Sequence, residues 1–384
     1  MKPASAPAHS EAERLIADLA EQLGHPVPTE WAEALRHVPR HHFLPDRIWL
    51  RDGNGGYTPC DRATDPAGWR EVAYSDAPLV TQLAIEDDGF QQPTSSASAP
   101  STVIRMLEQA QITDGQQVLE IGTGSGYHAA LLSHRLGSVH VTSIEVDDTI
   151  AQQARVNLKT TGHAPTVITG EGAHGHPAGA PYDRIIATCS VRAVPPAWIQ
   201  QTAPGARIVT PWSTAWTTYG TITLTPDADG TASGQFAPYG SYMVMRGQRP
   251  DVELERDLLR DGQTPETSTS TLSPWNVAGH DLDAHFAIGI RVPDIWHSWD
   301  TDTSEAHTRL WVADDHATSW AAIHYDGRQT DTFHVAQHGP RRLWDEVEVA
   351  YQQWTEVGRP GIERHGLTVS PNGQHLWIDQ SGAT

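Results

Sequence analysis

The chain has 384 residues, which is long for one average domain and favours two. Asp and Glu total 47 against 26 for Lys and Arg, so the formal net charge is −21. Affinity for nucleic acid comes largely from Lys and Arg side chains that neutralise phosphates. No run of basic residues interrupts the acidic background, so the composition argues against nucleic acid as a partner.

The cysteine content and the hydropathy of the chain indicate where in the cell the protein is expected. The cysteines are Cys60 and Cys189, far apart in sequence, which argues against a disulfide framework and favours reduced thiols. Residues 1–10 are rich in Ala, Pro and Ser and lack the apolar core of a signal peptide. No apolar run approaches the roughly 20 residues that a membrane span needs. We therefore predict a cytoplasmic protein without a membrane partner.

The first part of the chain predicts helices joined by loops. Residues 10–37 carry apolar side chains at helical spacing in two pieces. Residues 45–70 are rich in Gly, Asp, Pro and Asn, with turn signals at 52–56, and predict a loop. The small-residue stretch 93–102 has the composition of a linker but runs straight into an amphipathic helix. Its hydroxyls are suited to capping the first turn of that helix.

From residue 116 the pattern changes to strands alternating with helices. Short apolar strands are predicted at residues 117–121, 139–145, 165–169, 183–187 and 207–210. This alternation indicates a doubly wound, Rossmann-like α/β fold with a parallel sheet between two layers of helices. Residues 218–246 then alternate with period two around Asp229-Gly230, which predicts an antiparallel hairpin at the edge of the sheet.

The character of the sequence shifts again beyond residue 250. Eight of the 14 Trp lie there, among alternating segments at 286–292 and 309–312 and one helix at 343–353. We predict a small α+β module whose Trp residues form a core, with peptide recognition as the alternative. The predicted organisation is an N-terminal and substrate-loop region (1–115), a central sheet domain (116–250) and a C-terminal accessory module (251–384).

A glycine loop follows the first strand of the central domain. Gly122, Gly124 and Gly126 permit a tight turn and close approach of the backbone to a nucleotide-like ligand. Their G-x-G-x-G spacing differs from the G-x-G-x-x-G fingerprint of dinucleotide sites. An ordinary turn between strand and helix is the alternative interpretation of such a loop taken alone.

Three acidic residues at successive strand ends support a ligand site. Glu120 is placed to bind the ammonium group of a methionine moiety, Glu145 two ribose hydroxyls, and Glu171 an adenine amine. Three carboxylates suit a positively charged sulfonium cofactor better than a pyrophosphate. The alternative interpretation is that each acid is simply a solvated loop residue, and this interpretation is weaker for all three acids together than for any one of them.

Several segments resemble, in order and spacing, the protein-L-isoaspartate O-methyltransferases. They are VPRHHFLPD (38–46), AYSDAPL (73–79), VLEIGTGSGYHAALL (118–132), VTSIEVD (141–147), TGEG (169–172), PYDRIIAT (181–188) and APGARIVTPW (203–212). The resemblance runs from about residue 36 to 246. It implies a class I S-adenosylmethionine-dependent methyltransferase fold, S-adenosyl-L-methionine as cofactor, and an aspartyl or isoaspartyl carboxylate as acceptor. The cofactor residues it implies are Glu120, Gly122, Thr123, Gly124, Gly126, Glu145, Val146, Gly170, Glu171 and Gly172.

The implied reaction needs positioning rather than a base. A carboxylate, with a pKa near about 4, is already ionised at pH 7, so alignment and exclusion of water carry the catalysis. Family members have a T-I-S-x-P segment in this region; alignment on Pro100 puts Ser98 at the serine position and Ser96 at the threonine position. We expect these two serines to be catalytic, with substrate binding by Thr94, Ser95 and Thr188. A helix N-cap is the alternative role for Ser98.

Three departures from the family direct the choice of substrate. About 135 residues follow the methyltransferase region, Pro204-Gly205-Ala206 replaces Pro-Gly-Gly, and the substrate loop is enriched in Ser and Thr. The combination resembles the branch that tailors ribosomally made lanthipeptides and graspetides. That resemblance implies an Asp in a cyclised precursor peptide as partner, esterified and converted to an aspartimide or isoaspartate. We favour this over general isoaspartyl repair. A non-catalytic cofactor-binding module is disfavoured, because Glu120, Glu145 and all three loop glycines are intact.

Other reactive residue types receive structural interpretations. His41-His42 and the pair His174 and His176 lack the four-ligand set of a structural metal site, so we predict no metal. Cys189 follows the fourth strand and is interpreted as a small core residue rather than a nucleophile.

Overall fold

The computed structural model describes residues 6–52, 56–85, 91–250, 252–301, 308–327 and 331–379. The chain forms two compact units that interleave along the sequence. Unit 1 comprises Met1–Cys189, Pro195–Thr210 and Thr223–Ala232, and unit 2 comprises Ser190–Val194, Pro211–Ile222 and Ser233–Thr384. The contiguous segments 1–115, 116–250 and 251–384 stay a prediction from sequence.

Helices and strands are interspersed along the described residues. The helices are α1 (Ala6–Leu23), α2 (Thr29–His37), α3 (Pro66–Ala73), α4 (Pro100–Ala110), α5 (Tyr127–Leu136), α6 (Asp148–Thr160), α7 (Pro196–Gln200), α8 (Pro274–Ala278), α9 (Leu282–Gly289) and α10 (Leu343–Glu356). The strands are β1 (Arg47–Arg51), β2 (Tyr57–Asp61), β3 (Leu79–Ile85), β4 (Gln91–Ala97), β5 (Val118–Ile121), β6 (Val141–Glu145), β7 (Thr166–Thr169), β8 (Tyr182–Ala187), β9 (Thr202–Pro211), β10 (Thr221–Pro226), β11 (Ala232–Ala237), β12 (Glu266–Ser270), β13 (Ile295–Thr301), β14 (Thr308–Asp314), β15 (Trp320–Tyr325), β16 (Phe333–His338), β17 (His365–Ser370) and β18 (Gly373–Ile378). None of the described helices is long and apolar enough to cross a membrane.

The central sheet of unit 1 has the strand order β10-β9-β8-β5-β6-β7. Strand β5 pairs in parallel with β6 and β8, and further parallel pairs join β6 to β7 and β8 to β9. Every residue of β5 is buried, which is why its sequence is a continuous apolar run around one acid. Helices α4, α5 and α6 pack against these strands. The predicted doubly wound α/β architecture is confirmed.

The predicted hairpin follows β9. The turn that follows β10 closes with hydrogen bonds from Asp227 N to Thr231 O (2.8 Å) and from Gly230 N to Asp227 O (3.2 Å). Within unit 2, β11 continues the order β11-β17-β18, and Ser233 and Thr368 hydroxyls lie 2.9 Å apart there.

A second sheet of unit 1 corrects the loop predicted at 45–70 and includes much of the linker-like stretch 93–102. Its strand order is β2-β1-β3-β4, with antiparallel pairing throughout. Strand β4 pairs with β3 over the small-residue stretch, with Ala97 opposite Leu79 and Ser96 opposite Val80. Small polar residues lack strong β-propensity, so this strand depends on its long-range partner rather than on local sequence. The turn signals predicted at 53–55 lie outside the described residues.

Unit 2 contains an antiparallel sheet of order β12-β16-β15-β14-β13. The segment 286–292, predicted to alternate like a strand, instead falls largely in helix α9, which Asp281 caps by accepting from Ala284 N at 3.0 Å. Phe286, Ala287 and Ile288 are all fully buried, and burial on every face removes the periodicity that marks a helix. The predicted helix at 343–353 is confirmed as α10.

Candidate active site

The glycine loop lies at the carboxyl end of β5, where open α/β sheets bind their ligands. The backbone φ angles of Gly122 and Gly124 are +95° and +53°, values that residues other than glycine rarely adopt. A Cβ atom at Gly122 would lie only 2.8 Å from Thr188 Oγ1, which itself donates to the carbonyl of Gly122. Thr188, which follows β8, therefore packs against the glycine loop, and its role in substrate binding stays a prediction.

Glu145 ends β6 and faces this loop. Its carboxylate accepts hydrogen bonds from the backbone amides of Gly124 (2.8 Å) and Asp147 (3.1 Å), and 7% of its surface is exposed. Burial raises the pKa of Glu145 above its ordinary value, and the Gly124 and Asp147 amides oppose that rise. Because both donors are backbone groups with a fixed position, the acid and the glycine loop hold each other in place. Val146 follows and is partly exposed.

The third predicted contact segment follows β7. Gly170 N donates to Glu145 O at 2.9 Å, which joins this segment to the end of β6. Glu171 is exposed, and Gly172 begins a short 3-10 turn whose carbonyl accepts from Trp198 Nε1 at 2.8 Å. The carboxyl ends of β5, β6, β7 and β8 thus bring the predicted cofactor residues to one edge of the sheet.

Glu120 is the exception to that arrangement. It has no exposed surface, and its two carboxylate oxygens accept from His128 Nδ1 (2.6 Å) and from Ser143 Oγ. The Ser143 hydroxyl lies 2.5 Å from Thr123 Oγ1 in the glycine loop. Glu120 is therefore withdrawn from the surface in this structure, and its predicted direct contact with a methionine ammonium group stays a prediction. The acid belongs to a buried polar network beneath the loop, a position that its place in the motif did not reveal.

One of the predicted acceptor residues, Ser96, lies beside the glycine loop. The carbonyl oxygen of Ser96, near the end of β4, lies 3.8 Å from the position that a Cβ atom would take at Gly124. Ser96 and Ser98 are both partly exposed, and no described residue hydrogen-bonds either hydroxyl. Ser96, near the end of β4, therefore lies next to the loop at the carboxyl end of β5, and Ser98 follows it by two residues.

The two residues before Ser96 are engaged within the sheet. Thr94 Oγ1 donates to Gln82 Oε1 at 2.6 Å, and Ser95 Oγ accepts from Thr81 Oγ1 at 3.0 Å. Ser95 is buried. These bonds join β4 to β3, so Thr94 and Ser95 have a structural role whether or not they also contact a substrate.

The alternative role of Ser98 as a helix cap is wrong. The N-cap of α4 is Ala99, which has no side chain that can cap. The backbone amide of Ser101 instead donates to Asp76 Oδ1 at 2.8 Å, so a carboxylate from a distant segment caps this helix. Asp76 lies in the AYSDAPL segment (73–79), but its contact with α4 could not be seen in the sequence.

The remaining candidates have other surroundings. His41 is buried with its Nδ1 2.7 Å from the hydroxyl of Tyr74, and its ring packs against His42. Burial lowers the pKa of His41 to about 4. Within the described residues, no group of three or more His, Cys, Asp or Glu side chains is arranged to hold a metal ion. Cys189 is partly buried.

The loop residues fit the cofactor that the sequence resemblance implies. A Cβ atom at Gly124 would meet no described atom nearer than the Ser96 carbonyl oxygen at 3.8 Å, so the backbone there leaves room for a ligand to approach closely, whereas Thr188 fills the space beside Gly122. Glu145 presents a carboxylate, the group that suits paired hydroxyl donors, at the neighbouring strand end.

The chain is similar in sequence to known proteins. A family model described as protein-L-isoaspartate(D-aspartate) O-methyltransferase (PCMT) matches residues 60–224. A protein-L-isoaspartate O-methyltransferase of Ignicoccus hospitalis is 36% identical over 184 residues, which cover 47% of this chain and 72% of that protein. Protein-L-isoaspartate O-methyltransferase 2 of a Polaromonas species is 30% identical over 237 residues, or 61% of this chain and 97% of that protein.

The fold comparison extends beyond the methyltransferase region. A solved structure of a protein-L-isoaspartate O-methyltransferase has a TM-score of 0.53 at 20% identity and covers 96% of this chain and 99% of its own. The likeness to this structure extends over nearly the whole chain, whereas the two relatives above match 47% and 61% of it, and the predicted class I fold is confirmed. With the two relatives above, the conclusion is that the chain belongs to the protein-L-isoaspartate O-methyltransferase family, a family of S-adenosylmethionine-dependent protein carboxyl O-methyltransferases.

Proposed function

We propose that the protein methylates the carboxylate of isoaspartyl residues in proteins and peptides, at the end of β4. The observation that carries this is the approach of the Ser96 carbonyl to within 3.8 Å of the Cβ position at Gly124. It puts the serine-bearing strand end beside the glycine loop, so an acceptor held by the one lies next to a cofactor held by the other. Family membership supplies the class of acceptor.

The cofactor side of the proposed site is formed by three strand ends. Gly122, Thr123, Gly124 and Gly126 would line one side, Glu145 and Val146 would hold the ribose, and Gly170, Glu171 and Gly172 would contact the adenine. When bound, S-adenosylmethionine supplies a sulfonium methyl group to a nucleophilic oxygen. Glu120 contributes indirectly, because it supports Thr123 through Ser143.

The acceptor side works by orientation. A carboxylate is ionised at pH 7 and needs no base, so a hydroxyl that donates to one oxygen and leaves the other free suffices. Ser98 and Ser96 offer such hydroxyls without a competing charge, and no described residue occupies them. Transfer forms one carbon–oxygen bond and breaks one carbon–sulfur bond. The resulting ester can lose methanol to the next backbone nitrogen and close a succinimide.

A second substrate class, an Asp in a cyclised precursor peptide, has one specific feature in its favour. The acceptor strand carries Thr94-Ser95-Ser96-Ala97-Ser98 where family members have a single T-I-S segment, so its hydroxyl content is unusual. The long C-terminal region does not separate the two candidates, because a solved structure named as a protein-L-isoaspartate O-methyltransferase covers 96% of the chain at a TM-score of 0.53. We therefore place isoaspartyl repair first.

A peptide comparison tests the choice. The protein is incubated with methyl-labelled S-adenosylmethionine and three acceptors: a linear isoaspartyl hexapeptide, its Asp isomer, and a ring-bearing Asp peptide. We expect labelled ester on the isoaspartyl peptide and none on its Asp isomer. A kcat/KM far higher for the ring-bearing peptide would overturn this order and establish the second candidate.

Ser98→Ala is expected to lower kcat by about 100-fold, because misplacing reacting atoms by about 1 Å costs on that order. Cofactor affinity and melting temperature should stay close to wild type, since Ser98 caps no helix. Ser101→Ala is the matched control, because it removes a hydroxyl from the first turn of α4, the helix that follows Ser98. Single-turnover rates measure both variants, and a fully active Ser98→Ala enzyme would remove this residue from the site.

Glu145→Ala is expected to weaken cofactor binding by about 10- to 100-fold, equivalent to losing charge-assisted hydrogen bonds of about 1.5–3 kcal/mol. The change also leaves the Gly124 amide without its acceptor. Asp148→Ala is the control, since it removes an exposed acid three residues away. Calorimetric titration with S-adenosylhomocysteine reports the affinity; equal affinity in both folded variants would contradict the assignment.

A further inference from the structure

Arg40 is a buried arginine with no direct part in the proposed reaction. It follows α2 in a short 3-10 turn within the VPRHHFLPD segment, and only 1% of its surface is exposed. Burying a guanidinium group is costly unless its donors are satisfied by well-placed acceptors. Its Nε has no partner among the described residues, and the acceptors of its two Nη groups show what the residue does.

One group of acceptors lies in the segment between α3 and β3. Arg40 Nη1 donates to the carbonyls of Ser75 (2.9 Å) and Ala73 (3.3 Å), and Nη2 donates to the carbonyl of Ala77 (3.1 Å). The guanidinium therefore fixes the path of the segment that also carries Asp76.

The other group of acceptors lies at the end of β4. Arg40 Nη2 also donates to the carbonyls of Ser98 (3.0 Å) and Ala97 (3.5 Å). On the far side of Ser98, Asp76 accepts from the amide of Ser101. Arg40 thus holds the turn at Ala97 and Ser98, and Asp76 holds it at Ser101.

The chemistry of arginine suits this role. Burial lowers the pKa of Arg40 to about 10, while the nearby Tyr127 and Asp76 oppose the shift, so the group stays protonated at neutral pH. Its planar guanidinium group presents several N–H donors in fixed directions. A lysine carries the same charge on one flexible ammonium group and cannot reach carbonyls on two segments in the same way.

We propose that Arg40 is a positioning residue for methyl transfer: it clamps the carbonyls of Ala97 and Ser98 to the 73–77 segment and so sets the position of the Ser98 hydroxyl. The inference rests on the proposed role of Ser98 in binding the acceptor. Arg40 itself touches neither acceptor nor cofactor in this scheme, so its loss changes the rate through the backbone that it holds.

Arg184 provides a matched control for the test. It is also a buried arginine of unit 1, and its guanidinium donates to the backbone carbonyls of Ala110, Gln111 and Asp183. The first two lie at the carboxyl end of α4, roughly 16 Å along the helix from the end that follows Ser98 at about 1.5 Å per residue. Arg40→Lys and Arg184→Lys therefore remove comparable networks at opposite ends of one helix.

The two variants are compared by kcat, KM, affinity for S-adenosylhomocysteine and melting temperature. We expect both to melt earlier and to bind the cofactor product normally. Arg40→Lys alone should lose kcat, by about 10- to 100-fold, because a shift of the acceptor residue of up to about 1 Å is costly. Equal kcat for Arg40→Lys and Arg184→Lys would overturn the proposal and leave Arg40 as a stability residue only.

A second measurement separates this proposal from the proposed function. Amide hydrogen exchange of residues 94–98, which needs no acceptor, should rise in Arg40→Lys and stay at the wild-type level in Arg184→Lys. If amide exchange rises in Arg40→Lys but the wild type does not methylate the isoaspartyl peptide, the proposed substrate is contradicted and the positioning role of Arg40 is supported. Unchanged exchange would overturn the clamp itself. If Arg40→Lys does not fold, Asp76→Ala releases the same turn from its other side, and a normal kcat there overturns the proposal.

Discussion

Replacing Gly124 by valine is expected to abolish measurable methyl transfer and to weaken cofactor binding by more than about 100-fold. Gly124 has a φ of +53°, where a β-branched residue is a genuine outlier, so the loop must change its path to accept the side chain. That change would move the amide that donates to Glu145 at 2.8 Å. It would also affect the approach to the Ser96 carbonyl, so both sides of the proposed site are altered together.

Two further variants separate backbone strain from loss of space. Gly162→Val adds the same side chain at a φ of +81°, with no atom within 4 Å of its Cβ position. It should lower the melting temperature and leave cofactor affinity unchanged. Gly124→Ala keeps most of the space and isolates the strain. Calorimetric titration and single-turnover rates distinguish backbone strain from loss of space. A folded Gly124→Val enzyme with normal turnover would refute the glycine-loop assignment.

Deleting residues 255–384 is expected to give an insoluble protein rather than a functional methyltransferase core. The sequence alone predicts a different result, in which the deletion spares cofactor binding and removes substrate selectivity. The structure reverses that expectation, because unit 2 also includes Ser190–Val194, Pro211–Ile222 and Ser233 onwards. The retained pieces of unit 2 would lose the residues that bury them.

The aromatic side chains explain the size of the effect. Trp212 and Phe236 pack edge to face at 5.2 Å, and Phe286, which the deletion removes, lies 4.9 Å from Phe236 and 6.0 Å from Trp212. Trp216 belongs to the core cluster formed with β13 to β16 and α10. Each retained ring buries about 150–250 Å², so exposing three would create an apolar patch at or above the largest that monomers usually tolerate.

The soluble fraction after expression and the titration of S-adenosylhomocysteine test this expectation, with the full chain as reference. Aggregation, or binding of apolar dyes by whatever stays soluble, is the expected result. A monodisperse truncated protein with wild-type cofactor affinity would show that unit 1 folds and binds without the rest of unit 2.

Some features of the site follow directly from local sequence. The alternation of apolar strands and helices after residue 116 determined the parallel sheet, because each strand buried on both faces must be apolar throughout. The ends of those strands lie along one edge, so Gly122, Glu145 and Gly170 could be placed near one another without coordinates. The hairpin around Asp229-Gly230 also follows from local sequence, since its turn residues determine its geometry.

Other features depended on partners far away in the chain. Ser95 and Ser96 form a strand because β3 pairs with them, Glu120 is withdrawn from the surface by His128 and Ser143, and the cap of α4 comes from Asp76. The clamp of Arg40 likewise joins residues 33 to 58 positions apart. The sequence alone determined the sheet, the glycine loop and the family. Only the tertiary structure decided which polar groups are buried together, because a hydrogen bond between distant segments leaves no periodic trace in either one.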